Sequence, residues 1–420
     1  MSALGRLTAR AQPFVAAALT SRTRRDARRW AHERMRRVRG APHRLTAFVR
    51  PDDPYALVLL HGLQHVRERF EVEIDARIVG PTPAALDPAP ERLHAWARQD
   101  AGRVARLYDH AVPEFDERRC TRADAAALAT VQGLTEVRAA LETWWRDGTV
   151  PSRRSDDRLD ANDRERHRRG HYASAMVHYA GEWYWGVDRL NHLERRLQSL
   201  GLAREGTTPG FERRFAFLTS PAPAAAPSDT LELFWSGRSP YSYLALERAY
   251  QLADHFRVPL RIRPVLPMVM RNLSVPTRKR FYILDDAKRE ADWLHIPLGF
   301  VRDPVGPGIE RGYALLDVAR QRDRLREYVH TFSTGVWSRG LDAATDQGLR
   351  TIAEDAGIPW SACEAALRSD HWRAEVEDNR EALDTAGHWG VPVLRVADTT
   401  VWGQDRFWVL EDALSRVSAG

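Results

Sequence analysis

The feature that most constrains this 420-residue chain is that it repeats itself. Phe48 to Ala105 aligns without a gap onto Phe234 to Ala291, at an offset of 186 (from 48 to 234). Phe48, Pro54, Tyr55, Leu60, Phe70, Arg77 and Asp100 return as Phe234, Pro240, Tyr241, Leu246, Phe256, Arg263 and Asp286. Later, Asn162, Gly170, His171, Trp185, Asp188 and Arg189 return as Asn379, Gly387, His388, Trp402, Asp405 and Arg406, now at an offset of 217 (from 185 to 402). The second copy therefore holds 31 extra residues in its middle (217 less 186). Two long matches in the same order imply a tandem of two related domains.

The expected boundaries follow. A basic arm covers 1–43, a first domain 44–205, a linker 206–229 and a second domain 230–420. Pro221-Ala222-Pro223-Ala224-Ala225-Ala226-Pro227 has the composition of a semi-rigid spacer. In the arm the mildly apolar Ala11–Leu19 precedes Arg22, Arg24, Arg25, Arg28 and Arg29, whereas a signal peptide carries its charge ahead of the apolar stretch. The arm reads as a solvated basic helix or tail, or else as an element that meets a membrane surface or an anionic partner. No apolar run is long enough to cross a bilayer, and a cytoplasmic protein is expected.

The formal charge of +6 would suit an acidic partner, but the basic residues are arginine apart from Lys279 and Lys288. No aromatic-interleaved basic motif accompanies them, so no nucleic-acid partner is expected. Cys120 and Cys363 are the two cysteines and form no C-x-x-C, which excludes a redox dithiol. Cys363, in a stretch that reads as helix, is expected to be a buried structural thiol.

Within the second copy, Leu231–Trp235 is a short strand-like run, and Ser239-Pro240 supplies an N-cap and first helical residue. Helical spacing follows to Phe256, and Val258–Val265 returns to strand. A long helical stretch from Thr277 to about Ser369 is broken at Pro304–Gly308 and at Gly357. Val391–Val396, Val401-Trp402 and Arg406–Val417 close as strand, strand, helix. The fold class expected is α/β: tandem thioredoxin folds of the DsbA-like kind, each βαβ, helical insertion, ββα.

The segment Phe234-Trp235-Ser236-Gly237-Arg238-Ser239-Pro240-Tyr241-Ser242-Tyr243-Leu244-Ala245 resembles the active-site segment of the 2-hydroxychromene-2-carboxylate isomerases and kappa-class glutathione transferases. Gly390-Val391-Pro392 and Trp402-Gly403-Gln404-Asp405-Arg406 resemble the closing segment of the same group. The resemblance covers nearly the whole second copy. It implies a DsbA-like thioredoxin fold that uses glutathione as its thiol cofactor and acts on a small conjugated electrophile of aromatic type.

On that reading Ser239, at a helix start where unpaired N–H groups favour negative charge, donates to the glutathione thiolate. Without the resemblance, Ser239 is simply an N-cap. The resemblance also assigns Asn272 near the reacting thiol and a cis Pro392 that turns the backbone of Val391 toward the glutathione peptide. It places Gln404 and Asp405 at the γ-glutamyl end. Arg271 and Lys279 are substrate-binding candidates, with exposed helix or loop positions as their plain alternative.

In the first copy Asp53, Leu86, Ala175 and Val187 stand where Ser239, Asn272, Pro392 and Gln404 stand in the second. That copy is expected to be a non-catalytic partner, which makes either a monomer with an internal pseudo-dimer or a homodimer. A different site built on Asp53 with His171 or His178 is the alternative. His167, His171 and His178 lack a completing carboxylate, so no metal is expected. For the whole chain, the alternatives to an enzyme are a non-catalytic binding or scaffold protein and a divergent oxidoreductase.

Overall fold

The computed structural model describes residues 3–82, 88–212, 215–222, 229–273 and 275–419. Most of the Pro/Ala spacer, and Leu86, lie outside them. The chain divides into two compact units, residues 26–213 (the N-terminal unit) and residues 1–25 with 214–420 (the C-terminal unit).

In the N-terminal unit β1 (Arg44–Val49) leads into the helix Pro54–Arg69 and then β2 (Glu73–Ile78). The helices Pro90–Leu107, Arg122–Leu128, Leu134–Asp147 and Asp156–Arg168 follow, then β3 (Met176–Tyr179), β4 (Glu182–Trp185) and the helix Leu190–Ser199. The sheet order is β2-β1-β3-β4, with β1 parallel to β2 and the other pairs antiparallel.

The C-terminal unit repeats this with β5 (Leu231–Trp235), the helix Pro240–Phe256 and β6 (Leu260–Pro264). After a longer helical block come β7 (Val393–Val396), β8 (Thr399–Trp402) and the helix Phe407–Ala419. Its order is β6-β5-β7-β8 with the same pairing senses. The parallel pair needs the intervening helix as a crossover, and the central strand is buried along its whole length. Between the helices Thr277–Trp293 and Trp372–Thr385 the second copy has Pro307–Ala314, Leu316–Gln321, Leu325–Trp337 and Asp346–Asp355, where the first copy has only Arg122–Leu128 and Leu134–Asp147. Ile309, Tyr313, Phe332 and Val336 from that block complete one core with Trp235, Leu244 and Leu246.

Matching side chains make matching bonds. The Tyr55 hydroxyl donates to Asp100 at 2.6 Å and that of Tyr241 to Asp286 at 2.8 Å. Asn162 donates to the Ile78 carbonyl at 2.9 Å, and Asn379 to that of Pro264 at 3.2 Å. Both asparagines use a side-chain amide to satisfy the last carbonyl of an edge strand.

Two local expectations change. The strand expected from Val258 begins at Leu260, because Arg257 adopts a left-handed conformation (φ 55°) and Val258 N–H returns to the Ala253 carbonyl, ending the helix. The stretch around Cys363 forms two short 3₁₀ turns, Trp360–Ala362 and Ala366–Arg368, rather than an α-helix. Cys363 itself is fully buried.

Candidate active site

The carboxyl end of β5 runs straight into the mouth of the helix Pro240–Phe256. Ser239 takes the extended N-cap conformation, Pro240 is the first helical residue, and the Ser239 hydroxyl oxygen accepts from Ser242 N–H at 3.1 Å. The same hydroxyl donates to the Val391 carbonyl at 3.2 Å. The Val391–Pro392 bond is cis, the only cis bond among the described residues. Ser239 and Val391 are both half-buried, so this junction opens at the surface. Among the described residues, Val391 N–H has no hydrogen-bond acceptor.

The loop ahead of Ser239 is pinned on three sides. Gly237 N–H donates to the Tyr313 hydroxyl at 3.2 Å, which in turn donates to the Val265 carbonyl at 2.9 Å. Burial pushes the Tyr313 phenol up to about 12, which keeps it a neutral donor. Trp337 Nε1 donates to the Gly237 carbonyl at 3.0 Å, and Arg238 makes a two-pronged ion pair with Asp303, both contacts at 2.7 Å. These three partners, Tyr313, Trp337 and Asp303, come from the helical insertion. They were missed in the sequence because that block has no short motif.

Arg271 and Asn272 end the 3₁₀ turn Met268–Arg271, just beyond β6. Arg271 donates from Nε to the Leu266 carbonyl at 2.9 Å and from Nη2 to the Trp389 carbonyl at 2.6 Å. It thereby ties this turn to the loop that carries Val391 and Pro392; burial lowers its pKa. Asn272 is exposed and left-handed (φ 59°), with its N–H on the Met268 carbonyl. Lys279 is half-buried on the first turn of the helix Thr277–Trp293.

Gln404 points the other way. It is 1% exposed; its side-chain oxygen accepts from Arg248, and its amide donates to Glu290 at 2.8 Å and to Asp405 at 2.6 Å. Arg248 and Glu290 are themselves buried, and the Arg248 guanidinium lies over Phe215 and Phe407, 5.1 Å from each ring centre. The structure thus brings Ser239, Val391 and Pro392 together and braces them through Arg271. The Gln404 side chain belongs to a buried polar network, with the half-buried Asp405 at its margin. Arg248 had a visible signal, since it interrupts an apolar helical stripe between Leu244 and Leu252.

The corresponding place in the N-terminal unit is built from other groups. Asp53 caps the helix Pro54–Arg69 through Tyr55 N–H at 3.1 Å, and burial raises its pKa. Ser174 stands where Val391 stands, and its hydroxyl accepts from Arg50 N–H at 2.8 Å. Ala175 replaces the cis proline with a left-handed residue (φ 52°). The Arg50 guanidinium bridges Asp52 at 2.5 Å and Thr82 at 3.2 Å. His171 and His178 are both pushed down to about 3 by burial, beside Arg166 and Arg169 respectively. Among the described residues no group of three or more histidine, cysteine or acidic side chains is arranged to hold a metal.

Residues 230–415 match the sequence profile of the DSBA-like thioredoxin domain, and the C-terminal half of the chain is a domain of that class. The particular relatives are narrower. Over 195 residues it is 25% identical to 2-hydroxychromene-2-carboxylate isomerase of Pseudomonas putida, covering 44% of this chain and 95% of the relative. The enzyme of that name from Sphingobium xenophagum is 27% identical over 193 residues, covering 44% and 97%. Human glutathione S-transferase kappa 1 is 25% identical over 204 residues, covering 44% and 90%. A solved structure of 2-hydroxychromene-2-carboxylate isomerase aligns at 24% identity and a TM-score of 0.39, over 45% of this chain and 95% of that one.

Proposed function

We propose that the C-terminal unit is a glutathione-dependent isomerase, or a transferase-like enzyme, acting on a small conjugated electrophile, with Ser239 as the group that stabilises the glutathione thiolate. The observation that carries this reading is the Ser239 hydroxyl, half-exposed at a helix mouth and 3.2 Å from the carbonyl of Val391. The names of the related isomerases and of glutathione S-transferase kappa 1 support the choice of chemistry.

The residues fit such a cofactor at two points. A neutral hydroxyl has one proton, held here by a carbonyl at 3.2 Å; an ionised sulfur is the stronger acceptor and would draw that proton to itself. The hydroxyl oxygen would keep its bond from Ser242 N–H, so the cap survives the change. Val391 N–H, with no acceptor among the described residues, suits an extended peptide laid beside it. The γ-glutamyl end would have to use the backbone near Gln404 and Asp405, since the Gln404 side chain is engaged inside the unit.

Bound glutathione would supply a nucleophilic sulfur able to add to, and leave, a conjugated carbon. The chain's own part is to hold that sulfur ionised near neutral pH by the Ser239 donor and the helix mouth. Arg271 ties the turn to the Val391 loop; Asn272 is assigned beside the reacting sulfur, and Arg271 and Lys279 to the substrate. The N-terminal unit is read as a non-catalytic partner domain.

Calorimetric titration with glutathione tests the proposal. The wild-type chain should bind with the ultraviolet absorbance of a thiolate, and Ser239→Ala should bind about tenfold more weakly and lose that absorbance. Binding and absorbance unchanged in Ser239→Ala would end the assignment of Ser239. No binding at high glutathione would end the enzyme reading.

A further inference from the structure

We infer that the exposed face of residues 26–38, the part of the helix Arg22–Val38 that belongs to the N-terminal unit, is a docking surface for an anionic lipid bilayer. A helix on a folded unit normally buries its apolar side and shows its charges to water. This one does the reverse. Arg29 points inward and makes a two-pronged bond with Glu182, at 2.6 and 2.9 Å. Glu33, held well below the usual carboxylate range at about 2 by its hydrogen bond from Arg36, lies on the same side. Arg36 also donates to the Ala41 carbonyl at 2.7 Å.

The opposite side repeats at spacings of three and four: Ala27, Trp30, Ala31, Arg34, Met35 and Val38. All six are exposed, with Trp30 at 64%, Met35 at 50% and Val38 at 76%. No residue of the helix is buried. The apolar stripe is therefore presented outward by an inward set of ion pairs, an arrangement that leaves costly apolar surface in water unless something covers it.

Charge selects the occupant. Arg34 lies over the Trp30 ring at 5.5 Å, and Arg28, Arg37 and Arg39 are exposed along the edges of the stripe. From 26 to 39 the chain carries six arginines against two acids, Asp26 and Glu33, and Glu33 is taken by Arg36 and Arg37. A second copy of this chain would set arginine rows against each other. A nucleic acid would accept the arginines but leave the Trp, Met and Val stripe facing phosphate. An anionic membrane surface takes both: the stripe enters the headgroup boundary, Trp30 sits at the depth that tryptophan favours, and the arginines reach lipid phosphates. The contact is shallow, since no described helix is long and apolar enough to span.

Co-sedimentation of the full chain with vesicles tests this, using phosphatidylcholine alone and phosphatidylcholine mixed with phosphatidylglycerol at low salt. Partitioning onto the anionic vesicles should exceed that onto neutral ones by about tenfold or more. The double substitution Met35→Glu, Val38→Glu should reduce it to the neutral level. Arg34→Gln with Arg37→Gln, at exposed positions that leave the fold intact, should weaken it by about tenfold. Failure to bind anionic vesicles overturns the inference. So does binding that the Met35/Val38 variant retains, which would be diffuse charge attraction. A dimer that dissociates in that variant, or duplex DNA binding that the variant does not alter, would assign the face to the other occupants.

Discussion

The two units share a sheet order and a set of framework bonds, yet they differ in two places that change together. One is the mouth of the first helix, where Ser239, Val391 and cis Pro392 face Asp53, Ser174 and Ala175. The other lies behind it, where Arg248, Glu290 and Gln404 correspond to Gly62, Val104 and Val187. A buried polar network in one unit is a small-and-apolar set in the other, with Phe211 and Leu190 packed against Gly62. The framework tolerates either filling: polar side chains that bond one another in one unit, and none at the matching positions in the other. What separates the units is therefore not the fold but which sets of side chains were kept whole.

The sharpest way to break that contrast is to make the network incomplete. Glu290→Val leaves the buried Gln404 amide without its glutamate, in the network that also holds the buried Arg248, so it should destabilise the C-terminal unit by about 1–3 kcal/mol. Arg248→Met, Glu290→Val and Gln404→Val together should cost less than Glu290→Val alone, because no buried polar group is stranded. Urea unfolding of the single and triple variants measures both. A triple variant less stable than the single one would show that the network is a source of stability and not merely self-consistent.

Ser239→Asp places the N-terminal unit's residue at the C-terminal unit's site. Aspartate caps a helix about as well as serine, so thermal stability should stay near wild type. A fixed carboxylate beside an ionised sulfur repels it, and glutathione affinity should fall by more than about a hundredfold in calorimetry. Retained affinity would mean that the sulfur does not sit at this helix mouth.

Much of this comparison is legible in the sequence, but not evenly. Strand, helix and strand are readable because Leu231–Trp235 and the stripe from Tyr243 to Phe256 have different periods, and because Ser239-Pro240 marks the join between them. The inward direction of Gln404 is not readable: a position in a closing motif says nothing about which side of the backbone carries the side chain. The clue was the offset alignment itself, which pairs Arg248 and Glu290 with Gly62 and Val104 and so marks them as one set with Gln404. In the basic arm the arginines were visible, but which of them turn inward depends on Glu182, far away in sequence.

Acid should separate the units next. His94, His110, His171 and His178 all lie in residues 26–213, with burial lowering them to about 4, 3, 3 and 3. Such groups take up protons more readily when unfolded. Their stabilising effect is complete above the ordinary histidine value near 6.5 and is lost as pH falls from there toward 3. The well-buried His110 and His171 should each cost about 2 kcal/mol at pH 5. Hydrogen exchange at pH 5 against pH 7.5 should show residues 26–213 losing protection before the strands of the C-terminal unit; the reverse order would contradict these pKa directions.

The smallest effect is expected from the reciprocal exchange, Asp53→Ser. Serine and aspartate cap about equally, so stability should move by only a few tenths of a kcal/mol. The new hydroxyl would also fail to create a second glutathione site. Ala175 keeps its left-handed backbone, Ser174 remains committed to Arg50 N–H, and the Arg50 guanidinium still spans Asp52 and Thr82 across the loop. Calorimetry should therefore give one glutathione per chain in this variant as in the wild type. Two per chain would show that a single residue at the helix mouth suffices, and that the loops around it, which differ so much between the units, do not matter for holding the cofactor.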